Sequence, residues 1–250
     1  MSFPYAPSRN FLLQALPPLE RDTLLAHLRP TALSVKTVLF EPGEAIESVH
    51  FPLDGVISLV TPLADGIVEV ATIGNEGIVG VPLIPAGVSC VRALSPMGGQ
   101  TLQMGAATFL AEIERLDAFR RLVERYLLAL FAQISQLAAC NRLHANEQRL
   151  CRWLLMTHDR VATDTFPVTQ DVLGQMLRLS AWDRYSFGPT APSGGSDRIS
   201  PRARHHRRSR GPRIRLLRVL RDPEEWAGSR APPRIARGRP CLSSRHMSRR

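Results

Sequence analysis

Long apolar runs are missing from this 250-residue chain: no stretch of 18 consecutive apolar residues occurs, so no transmembrane helix is expected. Residues 1–10 lack the basic segment and apolar stretch of an export signal, which argues against secretion. Only four cysteines are present, Cys90, Cys140, Cys151 and Cys241, and no two form a CxxC pair. That spacing suggests neither a disulfide framework nor a zinc site, and an iron–sulfur cluster would need closer clustering. Reduced, buried thiols in the cytoplasm fit this usage. His27, His50, His144 and His158 stand apart from one another, so haem and metal ligation find no support. No nucleophile–base motif, Gly-rich phosphate loop or carboxylate pair at catalytic spacing is found, which argues against an enzyme.

Lysine is nearly absent too: Lys36 stands against 31 arginines, a usage typical of a GC-rich coding sequence. Charge is divided unevenly. Residues 1–177 carry 13 basic and 17 acidic side chains, a net of −4; residues 178–250 carry 19 Arg and 5 acids, a net of +14. The formal +10 of the whole chain therefore resides in its last 73 residues. A basic tail of this kind often marks a nucleic-acid partner.

Residues 10–29 read as one N-terminal helix, with Pro17-Pro18 at its opening and Pro30 closing it. From Thr31 the pattern changes to short apolar runs between turn signals such as Glu41-Pro42-Gly43-Glu44, Leu53-Asp54-Gly55 and Gly74-Asn75-Glu76-Gly77. Such spacing predicts an antiparallel barrel or sandwich. Strands are expected at 35–40, 48–51, 56–61, 67–73 and 99–104, all rich in β-branched or alternating apolar residues. Asp65-Gly66 is the clearest hairpin signal.

Residues 108–143 contain neither Gly nor Pro. Leu116, Val123, Leu130 and Leu137 recur every seven residues, with Leu127 and Ile134 between them, an a/d seam of about three heptads. A helix of this length would run about 54 Å. One face would pack on its own domain while the seam meets a partner helix; the alternative is a single long core helix. A second helix is expected at 146–158, with Leu150, Trp153 and Leu154 facing inward. A third, at 170–177, would be capped by the hydroxyl of Thr169, with Asp171 suited to its positive start.

Taken together, a β-roll, a long helix, a further helix, a short extended link and Val168-Thr169-Gln170-Asp171-Val172-Leu173-Gly174-Gln175-Met176-Leu177 resemble the Crp/Fnr family of bacterial transcription regulators over about residues 10–180. The most specific segments are Phe40-Glu41-Pro42-Gly43-Glu44, Phe51-Pro52-Leu53-Asp54-Gly55-Val56-Ile57-Ser58 and Ile73-Gly74-Asn75-Glu76-Gly77-Ile78-Val79-Gly80. The resemblance implies an α+β chain in four parts. These are a cyclic-nucleotide-binding-like jelly roll with an N-terminal helix (1–107), a dimerisation helix (108–143), a partial winged helix-turn-helix (144–180) and an Arg/Pro/Ser-rich tail (181–250). A homodimer and a DNA partner, with no membrane, follow from it.

In the family's nucleotide-binding members a Gly-Glu pair and an Arg-Ser or Arg-Thr pair cradle the cyclic phosphate, because Arg gives bidentate charge-assisted hydrogen bonds. Here the first pair reads Gly80-Val81, and Arg92 in Ser89-Cys90-Val91-Arg92 is displaced from the pattern. The candidate pocket is therefore Glu76, Gly77, Gly80, Val81 and Arg92. Cyclic nucleotide bound in the usual way is not expected, no cofactor is evident, and another small molecule or no ligand stays open.

For DNA, the resemblance places Thr169 and Gln170 at phosphate-contacting positions, which fix register without reading sequence. Arg178 stands where the family usually has the turn glycine. The segment 179–187 that follows is cut short by Gly188-Pro189, leaving Arg184 as the one base-reading candidate. Beyond it the chain holds 19 Arg, 8 Pro, 10 Ser and 6 Gly in residues 178–250, a composition expected to stay disordered. Pattern end, composition break and charge inversion coincide there, as they would if the reading frame were lost near codon 178. The rival reading is a native polybasic arm that binds DNA non-specifically.

Overall fold

The computed structural model describes residues 9–64, 66–161, 166–167, 172, 174 and 198–199. The N-terminal segment forms two helices rather than one: α1 (Phe11–Gln14) and α2 (Pro18–Leu25). Asn10 caps α1 by accepting from the Leu13 N–H, while its amide donates to the carbonyls of Pro52 and Gly77. Pro18 takes the first position of α2, where its missing N–H costs nothing. Pro30 does not merely end the helix. It lies within β1 (Arg29–Leu33), a sheet-edge strand where a proline needs no ladder partner.

Seven strands build the roll in two antiparallel sheets. One has the order β1-β7-β3, with β3 at Ser48–Pro52 and β7 at Gly99–Gly105; Phe51 faces Leu102 across that ladder. The other runs β2-β6-β4-β5, with β2 at Thr37–Phe40, β4 at Ile57–Leu63, β5 at Gly66–Ile73 and β6 at Arg92–Ser95. The β4–β5 hairpin closes at Leu63 and Gly66, as the Asp65-Gly66 signal predicts, although Asp65 itself lies outside the described residues. A short helix α3 (Leu83–Ala86) lies between the strands β5 and β6.

Side chains of both sheets meet in one core with α1, α2 and the next two helices, among them Leu12, Leu24, Phe51, Ala71, Leu102 and Tyr126. The opposite face of the four-stranded sheet is also covered. Val56, Val60, Leu94 and Met97 pack there with Leu150, Trp153, Phe166 and Val172. Burial on both faces explains why β4 reads as a nearly continuous apolar run.

The long helix is broken. α4 (Ala106–Arg115) ends and α5 (Asp117–Leu143) begins at Leu116, whose backbone is extended (φ −108°, ψ 102°). The cause is tertiary. Glu20 of α2 accepts the N–H groups of Ala118 and Phe119 at 3.2 and 2.8 Å, capping α5 from 98 residues away in the sequence. A carboxylate at that positive helix end is favourable. Phe109 and Phe119 then meet edge to face across the break, centroids 5.6 Å apart.

α6 (Asn146–His158) follows, with Leu150 and Trp153 buried as expected. Val172 and Gly174 are helical and buried, inside the segment read as the third helix. The two-residue strand β8 (Phe166–Pro167) pairs antiparallel with β9 (Arg198–Ile199), so these two tail residues depart from the expected disorder. The rest of that tail lies outside the described residues. Among the described residues, no helix is long and apolar enough to cross a membrane.

Candidate functional site

The sequence-derived pocket residues are engaged within the fold. Glu76, buried in the turn after β5, pairs with Arg160 just beyond α6: Arg160 Nε donates to Oε1 at 2.7 Å. Arg160 Nη2 lies 2.6 Å from the same oxygen but is too poorly aligned to donate, so Nε carries the pair. Arg160 Nη1 donates to the Met156 carbonyl, which places a cation at the negative end of α6. Gly77 is dictated by close approach, since a Cβ there would sit 2.6 Å from the Tyr126 hydroxyl. That hydroxyl donates to the Ile78 carbonyl at 2.9 Å, and burial pushes its pKa up, so it stays protonated. Gly80 adopts φ +105° against Val49, and Val81 is buried. Arg92 donates through Nε to Glu41 at 2.7 Å, both side chains about one-third exposed.

Glu76 and Arg92, the two charged members of the expected pocket, thus hold internal partners of opposite sign. Val81 is buried and apolar and offers no side-chain acceptor. His50 is structural: burial lowers it to about 4, and its Nε2 lies 3.2 Å from the Ser48 hydroxyl. Thr169, Gln170 and Arg178 lie outside the described residues.

Most of the residues read as the dimer seam are covered within the single chain. Val123, Leu130 and Leu137 are buried inside the single chain, Leu127 and Ile134 pack against its core, and Leu116 sits in the helix break. Val123, Leu127, Leu130 and Ile134 face the roll. A different stripe of α5 is open: Leu128 is 45% exposed and Phe131 68%, with Glu124, Ser135, Ala138 and Arg142 also exposed along it. Their spacing of three and four is again that of an a/d seam, displaced round the helix from the heptad first read. The open stripe is mixed, with Leu128, Phe131 and Ala138 apolar and Glu124, Ser135 and Arg142 polar, and the heptad pattern of the sequence favours the stripe richer in leucine.

Sequence reasoning also passed over a buried polar cluster. Glu69 of β5, fully enclosed, accepts from the Ser58 hydroxyl at 2.5 Å and faces Thr72, Trp153 and Arg152. Its signal was available in principle, as an acidic residue inside the apolar run 67–73.

No family model matches the sequence, and no curated protein matches it. Solved structures do. Over 68% of this chain and 81% of the other, a candidate transcriptional regulator of the Crp/Fnr family from Eubacterium rectale superposes with a TM-score of 0.55 at 9% identity. The c-di-GMP-responsive global regulator CLP of Xanthomonas campestris superposes with a TM-score of 0.52 at 15% identity, over 66% of this chain and 86% of CLP. The chain has the Crp/Fnr fold. At these identities the likeness concerns the fold. Within the Crp/Fnr fold, the roll, the helix α5 and the docked α6 supply the features from which function is argued.

Proposed function

We propose that the chain is a homodimeric, signal-responsive transcription regulator of Crp/Fnr type whose reading of specific DNA sequences is impaired. The observation that carries this reading is α5. It is anchored to the roll by one apolar stripe, leaves Leu128 and Phe131 open on a different, mixed face, and leads directly into α6. A sensor roll, a pairing helix and a following helical domain in that order are what a dimeric reader of two half-sites needs. The effector is not a cyclic nucleotide held through the family's usual pairs, because Val81 cannot accept and Glu41 occupies Arg92. Thr169 and Gln170 would position phosphates, but the segment after Arg178 is too short and too aromatic to serve as a recognition helix. The 19 arginines of residues 178–250 favour a second reading, non-specific DNA binding through the tail.

Selection of bound DNA from a random-sequence pool, followed by gel shifts over a salt series, tests the proposal. The expected result is no enriched sequence, and retained DNA that is lost steeply as salt rises. Enrichment of a palindromic site would contradict the impairment. Binding insensitive to salt would remove the tail as the DNA contact.

A further inference from the structure

We propose that docking of α6 on the four-stranded sheet is coupled to a proton on the Glu69 carboxyl, so that acid holds α6 against the roll and alkali loosens it. The geometry comes first. Ile67 and Glu69, two apart on β5, share the outer face of the sheet, the face on which Val60, Leu150 and Trp153 pack. Glu69 is 3% exposed and sits where α6 covers that face. Its neighbours come from three elements. β4 gives Ser58, whose hydroxyl donates to Oε1; β5 gives Thr72; α6 gives Trp153 and Arg152. The buried Trp153 indole N–H faces the carboxyl without closing a well-aligned hydrogen bond. Among the described residues Arg152 is the charged group facing Glu69, and the Cys140 thiol of α5 lies beside Arg152 in turn. The Glu76–Arg160 pair ties the far end of α6 to the roll independently of Glu69.

Enclosure by α6 removes water from the carboxyl and pushes its pKa above the ordinary 4.5; the hydrogen bonds and Arg152 pull the other way and do not cancel it. Lifting α6 exposes the group and returns it towards its ordinary value. The docked form therefore binds the proton more tightly. Docking is strongest at low pH and is weakened as pH rises through the docked-state pKa, by at most about tenfold per pH unit for one proton.

This inference does not depend on DNA binding, and its test uses none. Hydrogen exchange on the full chain from about pH 5 to about pH 8, corrected for intrinsic exchange, reads α6 (Asn146–His158) against β7 (Gly99–Gly105), which lies in the other sheet. The expected result is that protection of α6 falls as pH rises, by up to about tenfold per unit, while protection of β7 does not. In Glu69→Gln, which keeps the shape but cannot ionise, α6 protection should be flat with pH. Parallel changes in α6 and β7, or no change in wild type, would overturn the proposal. So would an unchanged pH dependence in Glu69→Gln. The wild-type comparison decides the matter even if the variant fails to fold.

Discussion

Arg160→Ala is expected to destabilise the protein by about 3–5 kcal/mol, measured by urea unfolding near neutral pH. The Arg160 and Glu76 side chains are 2% and 3% exposed, so truncating the cation leaves a carboxylate enclosed without its partner. The Gly74 N–H, 3.3 Å from Oε1, is a weak substitute. The change also empties space that the fold has prepared: a Cβ on Gly74 would lie 2.5–2.8 Å from the Arg160 side-chain carbons, so the turn uses glycine to admit them. Replacing both charges together, as in Arg160→Met with Glu76→Gln, should recover much of the loss, because no lone buried charge remains. A single variant as stable as wild type would mean that the pair contributes nothing and that water reaches Glu76.

Phe119→Ala is expected to cost about 3–5 kcal/mol, the range for a large aromatic removed from a packed core. Phe119 is fully buried and stacks edge to face on Phe109 across the α4–α5 break, one residue past the start of the capped turn. It therefore fixes the direction in which α5 leaves the roll. Phe131→Ala, on the same helix, should change the stability of the monomer by no more than about 0.5 kcal/mol, since that ring is 68% exposed. Equal losses at the two positions in dilute solution would contradict the distinction between an inward and an outward stripe.

Much of the roll was legible in the sequence. β3, β4, β5 and β7 begin and end within about two residues of the runs read between turn signals, because alternation and Gly-containing turns are local. The misses have non-local causes. β1 was hidden by Pro30, which reads as a helix terminator but is tolerated on an edge strand. No local sequence mark warns of the break at Leu116, which depends on Glu20 reaching across from α2. On α5 a heptad count finds apolar positions without saying what covers them, and the roll covers several of them. Of the candidate site, the turn 74–77 was identified, but not its work. Glu76 pairs with a residue 84 positions later, beyond the reach of any periodicity argument.

Light scattering with size exclusion measures directly whether the open stripe of α5 joins two copies. Wild type is expected to have the mass of two chains. Leu128→Glu with Phe131→Glu should have the mass of one, with unfolding of the single chain preserved because both side chains are exposed. A wild-type monomer, or a dimer that persists in the double variant, would contradict the assignment of α5 as the pairing helix.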